Sequence, residues 1–484
     1  MGLTEPETEF LSASFRDPDG FVIEYSNRIF RRVHAHGADA FRLLLDSPGL
    51  APFRDAGRLV ATTRSSNEEV QDVLGNLPLG LGEGEWWSHP RVFFPTYPWE
   101  WTSGMLWAAA SLTLDLAEAA LADGLILKDA SAENVLFDNG HPLFVDALSF
   151  RPLRSGASIW HAQAQFEQQF LIPLVLSRTT GMGVHRWYHA YPKGVPPEEA
   201  ARLLPTFARF WGPGLRYCVL PSLFGKLCTR LPEGFLYTVR LGIPDERARY
   251  ALGQSLHGLR KALNSLKPTS SRASHWSHYA ETGCNYPVEE QRAKEAFLKD
   301  VLQHVQPTTV LDLGSNTGQF SRMAAAQGAR VVAVDSDSSA LEISEGKSLA
   351  GSMGITHLIM DLANPTPASG WQNTERSSFL GRAAGRFDMI LALALLHHLL
   401  VTERIPLANV ITWMRGFGAA HWVVEWTLPQ DSNFKRLVRG REELYTNLTR
   451  EAFEAEVLIG FEIREKREIM GGGRWLYWLN PRIS

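Results

Sequence analysis

A chain of 484 residues exceeds what one hydrophobic core usually organises, so two domains are expected, with room for a helical connector. Hydrophobic residues make up 45% and charged residues 21%, proportions of a folded chain and too apolar for a disordered one. A formal net charge of -4 supplies no electrostatic ground for a phosphate backbone as partner, so nucleic acid is not expected.

The opening MGLTEPETEF is acidic and has no basic stretch followed by an apolar run, so no secretory signal is expected and the protein is assigned to the cytoplasm. The turn sequence Asp17-Pro18-Asp19-Gly20 leads into Phe21–Tyr25, which predicts a strand, and Ile29–Val33 is its predicted partner in an N-terminal sheet. Residues Gly75 to Pro98, rich in Gly, Pro and Trp, read as a loop. Gly104 to Asp123 carries a helical period with Leu106, Leu112, Leu116 and Leu121 on the apolar side. Asp115, Glu118 and Asp123 would be costly in lipid, so an amphipathic helix is expected and no membrane partner. Val135–Phe137 and Leu143–Val145 flank Asp138-Asn139-Gly140, a hairpin signal because Asn and Gly tolerate positive φ.

From Ile159 to Leu263 the pattern is helical, aromatic-rich and interrupted by prolines between Pro192 and Pro232, which predicts several short packed helices. His185 and His189 stand four apart on one such helix, yet no third ligand is evident and no metal is assigned. Cys218, Cys228 and Cys284 show no CxxC spacing, which argues against a disulfide framework or a thiolate zinc site. Asn264 to Ser274, NSLKPTSSRAS, is the predicted linker; it separates an N-terminal domain, 1–263, from a C-terminal one, 275–484.

Beyond the linker, apolar runs alternate with helical stretches: Val310–Leu313, Val331–Val334, His357–Met360, Phe387–Leu393 and Trp422–Glu425, then Phe461–Glu468 and Trp475–Leu479. This predicts an α/β fold, a mostly parallel sheet with helices on both faces. The last two runs lie too close around Gly471-Gly472-Gly473 for a crossover helix, so the sheet is expected to end in an antiparallel hairpin.

The first of these strands runs into Asp312-Leu313-Gly314-Ser315-Asn316-Thr317-Gly318, where glycines let backbone approach a ligand and the free amides of the next helix favour its electronegative atoms. The glycines are spaced GxxxG rather than GxGxxG, which argues against a dinucleotide. About two dozen residues further on, the second strand ends in Asp335, a carboxylate suited to two ribose hydroxyls. Asp361 at the third strand's end suits an adenine amino group. Simpler roles remain open: Asp312 as a cap of the loop, and Asp335 as a cap of the helix starting near Ser338.

These residues in this order resemble class I S-adenosylmethionine-dependent methyltransferases, from roughly Trp276 to the C-terminus. DLGSNTGQFS, GWQNTERSSFL, LALALLHHL and GGGRWLYWL are similar, more narrowly, to a bacterial group related to a rhizobial nodulation protein. The resemblance implies a Rossmann-like sheet, S-adenosylmethionine as cofactor, and a site lined by Asp312, Gly314, Ser315, Asn316, Gly318, Asp335, Asp361, Leu362 and Ala392. Asn316 stands where the family usually has glycine, and asparagine can adopt the left-handed conformation itself. The acceptor is expected to be a small molecule or glycan-like. Methyl transfer is an in-line displacement that needs alignment rather than a covalent nucleophile, and for a hydroxyl acceptor a general base adds about 10²–10⁴-fold. His397, His398 and Glu425 are the candidate bases by position, with structural roles equally open to each. Trp371–Arg376 and Trp276–Tyr286, with Tyr279, are candidate lids or packing segments.

In the N-terminal part, Asp129 and Asn134 form a DxxxxN pattern followed by Asp146 at a strand end, which resembles the catalytic and magnesium-binding segments of protein-kinase-like and aminoglycoside-phosphotransferase-like folds. The resemblance implies an α+β kinase-like domain with a helical lobe. Yet no lysine precedes Lys128 and no GxGxxG loop occurs ahead of it, so a degenerate domain that recognises substrate or partner is expected. Arg28 or Arg32 would be the stand-in for the missing lysine. Two alternatives stay open: a bifunctional kinase-methyltransferase using ATP and magnesium at Asp129, Asn134 and Asp146, and a non-catalytic cofactor-binding module.

Overall fold

The computed structural model describes residues 9–10, 14–75, 84–210, 212–228, 244–268, 288–469 and 473–482. Most of the expected linker and the segment Trp276–Tyr286 lie outside the described residues. The chain divides into two compact units, one of residues 1–269 with Ser369–Arg376, the other of the remainder from Ser270.

The first unit opens with an antiparallel sheet in the order β1-β2-β3-β5-β4, where β1 is Glu9–Phe10, β2 Gly20–Tyr25, β3 Arg28–Val33, β4 Thr63–Arg64 and β5 Glu85–Pro90. The expected pairing of Phe21–Tyr25 with Ile29–Val33 is present as β2 against β3. The expected loop from Gly75 to Pro98, by contrast, contains β5, which pairs along the whole of β3. Aromatic packing overrides the turn-rich composition there: Trp86 is buried and meets the Phe21 ring edge-on at 5.9 Å.

Helix Ser103–Ala122 is two-sided as expected: Leu106, Ala110, Leu112, Leu114 and Leu116 are fully buried, while Asp115 and Glu118 stand on the less buried face, paired with Arg58 and Arg260. By length and composition it could cross a membrane, but here it is a core helix. Strand β6 (Leu125–Leu127) pairs with β9 (Phe150–Pro152). Between them β7 (Val135–Asp138) and β8 (His141–Phe144) form the expected hairpin, with Asn139 at φ 49° and Gly140 at φ 75°. Short helices follow, among them Ile172–Thr180, Val184–Ala190 and Pro197–Leu203. The last is longer than expected: Asp245–Ser265 runs 21 residues and absorbs the first two linker positions. Its end is tied down by the Trp107 indole, which donates to the Leu263 carbonyl at 3.0 Å.

The second unit is built on one seven-stranded sheet in the order β12-β11-β10-β13-β14-β16-β15. Here β10 is Thr309–Leu313, β11 Arg330–Asp335, β12 Ile355–Ile359, β13 Met389–Ala392, β14 His421–Thr427, β15 Phe461–Ile469 and β16 Arg474–Pro481. The first five are parallel and buried on both faces, the reason their sequences read as continuous apolar runs. The expected hairpin is present, with β16 rather than β15 pairing antiparallel to β14. The chain winds outward from β10 through β11 to β12, then returns to β13 and β14 on the other side. That reversal leaves a crevice at the carboxyl ends of β10 and β13, where ligands of such sheets bind.

The passage from β10 into helix Gln319–Ala326 is fastened by Asp312, whose buried carboxyl group accepts a hydrogen bond from the Ser321 hydroxyl at 2.5 Å. Burial raises its pKa to about 7. The folded state therefore holds a proton on Asp312 that the unfolded chain releases near pH 4, so this group's contribution is complete below that value and is lost as pH rises toward 7. We predict that the stability difference between wild type and Asp312→Asn, measured by urea titration of the full chain, falls by a few kcal/mol (order of magnitude) between pH 4 and 8. A difference independent of pH would contradict the assignment.

Candidate functional site

Three loops meet at the crevice. The turn after β10 reverses with Gly314 at φ 75°, Asn316 at φ 48° and Gly318 at φ 72°, all left-handed. Asparagine thus adopts the conformation expected of it at position 316. The amides of Gly314 and Ser315 both donate to the Val334 carbonyl, at 2.9 and 3.0 Å, so the turn folds over the end of β11. At Gly318 the requirement is also steric: a Cβ there would stand 1.9 Å from the Ser344 hydroxyl oxygen, which is itself 2.9 Å from His357 Nε2. Ser344 and His357 escaped the sequence reading because their partnership is formed between a helix and a strand.

Asp335 joins two of the loops. One of its oxygens accepts from the Asn316 amide at 2.7 Å and the other from the Asp337 amide at 2.8 Å. Each oxygen keeps a further lone pair for a ligand hydroxyl. The cap of helix Ser338–Ala350 is Asp337, not Asp335, which leaves the latter free of that simpler role. Asp361 is exposed just past β12, with one oxygen accepting from the Ala363 amide, and Leu362 is beside it. Ala392 ends β13.

The turn also carries two buried polar atoms with no hydrogen-bond partner among the described residues, Ser315 Oγ and Asn316 Oδ1. Orphaned polar atoms are costly unless something polar meets them. A nucleoside with an amino-acid tail, which offers hydroxyls, an ammonium and a carboxylate, fits this need, so the residues present suit S-adenosylmethionine. Asp312 departs from the expectation that it lines the site: its carboxyl group is turned to Ser321 inside the fold, where it closes the strand-to-helix junction.

Of the three candidate bases, Glu425 is corrected. It is fully buried, 2.8 Å from the Lys294 ammonium and 2.7 Å from the Arg474 guanidinium, and it accepts from the Ala394 amide at 3.0 Å. Burial alone would raise its pKa, but the two cations outweigh that and hold it down at about 2. A carboxylate so fixed is a counter-ion rather than a proton acceptor. His397 is also enclosed, 4% exposed, with Nδ1 3.4 Å from the Thr427 hydroxyl. His398 lies beside it with the rings tilted at 39° and their centroids 4.3 Å apart, and keeps partial access to solvent. Burial, with Arg474 nearby, lowers its pKa, so its ring is neutral at physiological pH.

Lys294 and Arg474 were missed in the sequence. The signal was available: Lys294 stands at the i, i+3, i+4, i+7 spacing with Phe297, Leu298 and Val301, on the apolar stripe of helix Val288–Val305. Arg474 opens a strand that continues Trp-Leu-Tyr-Trp-Leu.

In the first unit, Asn134 Nδ2 donates to the Ser149 hydroxyl, which in turn donates to Asp146. Arg28 pairs with Glu69 and Arg32 lies over the Phe21 ring, so neither is the expected stand-in; Arg31 of β3 is the arginine near Asp146, at 3.8 Å. Lys128 pairs with Asp19. Trp371–Arg376 belongs to this unit, where Arg376 pairs with Glu133. Among the described residues no group of three or more His, Cys, Asp or Glu is arranged to hold a metal ion, and His185 and His189 remain a pair.

A family described as "Methyltransferase domain" matches residues 286–411. The nodulation protein NoeA of Rhizobium meliloti is 31% identical over 477 residues, 98% of this chain and 96% of that protein. Among solved structures, the N-methyltransferase NodS from Bradyrhizobium japonicum is 15% identical over 40% of this chain and 97% of its own, with a TM-score of 0.30. WbdD is 13% identical with a TM-score of 0.29, and the match covers 39% of this chain and 40% of WbdD. The chain therefore belongs to the family of NoeA, and its second unit is a class I S-adenosylmethionine-dependent methyltransferase domain.

Proposed function

We propose that the enzyme methylates a small-molecule or glycan-like nucleophile at the crevice beside β10 and β13, with His398 receiving the acceptor's proton. The observation that carries the location is that the left-handed turn presents the orphaned Ser315 Oγ and Asn316 Oδ1 while its Asn316 amide is held by the Asp335 carboxylate. In this reading Gly314, Ser315, Asn316 and Asp335 hold the cofactor, and Asp361, Leu362 and Ala392 border its base. S-adenosylmethionine supplies a methyl group made electrophilic by its sulfonium. The chain's own part is to align the acceptor with that methyl and to move one proton. Glu425 is spent on its ion pairs and His397 is enclosed, which leaves His398 as the neutral ring at the rim.

Asp335→Ala is expected to weaken S-adenosylmethionine binding by roughly 10- to 100-fold in calorimetry, the loss of hydrogen bonds to a charged group. His398→Ala should leave that affinity within about threefold of wild type while lowering radiolabelled methyl incorporation into fractionated cell extract by roughly 10²-fold or more. Unchanged binding in the first variant would remove the site, and unchanged incorporation in the second would remove the base.

A second reading is favoured by one observation in the first unit. Asn134 and Asp146 share the Ser149 hydroxyl, and Arg31 stands near Asp146 in place of the absent lysine, an arrangement that supports a kinase-like unit retaining a nucleotide site. It predicts magnesium-dependent ATP binding that Asp146→Ala abolishes. Absence of ATP binding to the wild-type chain would leave recognition of substrate or partner as the unit's role.

A further inference from the structure

The loop that follows β13 reaches the crevice in a conformation its sequence does not favour. Ala394 has φ 52°, a left-handed backbone that is disfavoured for a residue with a Cβ. Its neighbour Leu395 packs on the cofactor turn, 3.4 Å from where a Cβ would stand on Gly314, and the helix Leu396–Val401 that begins next carries His398. Whatever holds Ala394 therefore sets both the wall of the cofactor turn and the place of the proposed base.

That holder is Glu425 Oε2, which accepts from the Ala394 amide at 3.0 Å and at the same time from Lys294 Nζ at 2.8 Å. Its other oxygen binds Arg474, and Arg474 forks onto Asp431 at 2.8 and 2.9 Å. Asp431 in turn caps helix Ser432–Val438 through the amides of Asn433 and Phe434. Two cations and two carboxylates thus form a net-neutral chain, with Lys294, Arg474 and Glu425 no more than 3% exposed. A buried chain of this kind has few ways to rearrange, because displacing one charge strands another.

We propose that Lys294 is a positioning residue for methyl transfer: through the shared oxygen of Glu425 it locks the left-handed Ala394 turn, and so fixes His398 and Leu395 against the cofactor turn. The inference deepens the proposed role of His398 and rests on it. Without the ammonium, Glu425 is drawn toward Arg474 alone and the Ala394 amide loses a fixed acceptor, so the turn gains conformers that misplace the ring. Misplacement by about 1 Å is enough to slow an aligned displacement by roughly 10²-fold.

The test compares Lys294→Met, Lys294→Gln and Lys294→Arg in the full chain. Hydrogen exchange of the peptide spanning 393–401, calorimetric affinity for S-adenosylmethionine, and radiolabelled methyl incorporation into cell extract at saturating cofactor are measured for each. For Lys294→Met we expect exchange in this peptide to quicken by about tenfold and incorporation to fall by roughly 10- to 100-fold, with cofactor affinity within about threefold of wild type. Lys294→Arg should restore most of both, and Lys294→Gln, which keeps a donor toward Glu425, should be intermediate and serves if the Met variant does not fold. Wild-type exchange in the Met or Gln variant overturns the proposal, as does a loss of affinity that matches the loss of incorporation. If wild type itself labels nothing in any fraction, the acceptor reading fails, while the exchange comparison still decides the role of Lys294.

Discussion

A carboxylate sealed from solvent has to be neutralised where it stands, and in the second unit that constraint falls on Glu425, in the middle of the strand next to the crevice. Its two oxygens reach four different parts of the fold: helix Val288–Val305 through Lys294, the turn after β13 through Ala394, β16 through Arg474, and through Arg474 the cap at Asp431. The antiparallel β16 is what makes this possible. By pairing directly with β14 it brings the first residue of the strand, Arg474, level with the end of β14, beside Glu425. A terminal hairpin that reads as an edge decoration thereby becomes part of the framework beneath the site.

Above that framework the chemistry is divided between two kinds of group. Backbone conformation makes the proposed cofactor turn, where glycine and asparagine bear the left-handed angles and Ser344 leaves no room for a side chain at position 318. Side chains then supply the polarity: Asp335 ties the turn to the end of β11 and retains lone pairs toward the crevice, while Ser315 and Asn316 present atoms that no described residue satisfies. Groups committed to the protein, Asp312 and Glu425, are withdrawn from the surface; His398, still partly open, lies at the rim. The division accounts for a methyltransferase that needs no nucleophile of its own.

Much of this was legible in the sequence because it is carried by period and by local backbone demands. The five parallel strands announce themselves as apolar runs, the turn by its glycines and its asparagine, and the Asn139-Gly140 hairpin by the two residues best able to take positive φ. What escaped was non-local. Glu425 and its cations lie more than forty residues apart along the chain, so nothing near Glu425 reveals that its charge is already balanced. Asp312 reads as a ligand-facing acid until Ser321, one helical turn beyond the loop, is seen to take it. Strand β5 was hidden by the Gly, Pro and Trp around it, because its stability comes from pairing with β3 rather than from its own propensities. In helix Ser103–Ala122, by contrast, the acids Asp115 and Glu118 marked the less buried face, which the helical period alone revealed.

In the proposed site the nucleoside part of S-adenosylmethionine lies at the left-handed turn with its sugar on Asp335. A crystal structure with S-adenosylhomocysteine tests it most directly. Both ribose hydroxyls are expected within about 2.6–3.2 Å of the Asp335 carboxylate, with Ser315 or Asn316 meeting the ligand's polar tail. A ligand seated elsewhere in the chain, or one at the turn that leaves Asp335 bonded only to the amides of Asn316 and Asp337, would contradict it.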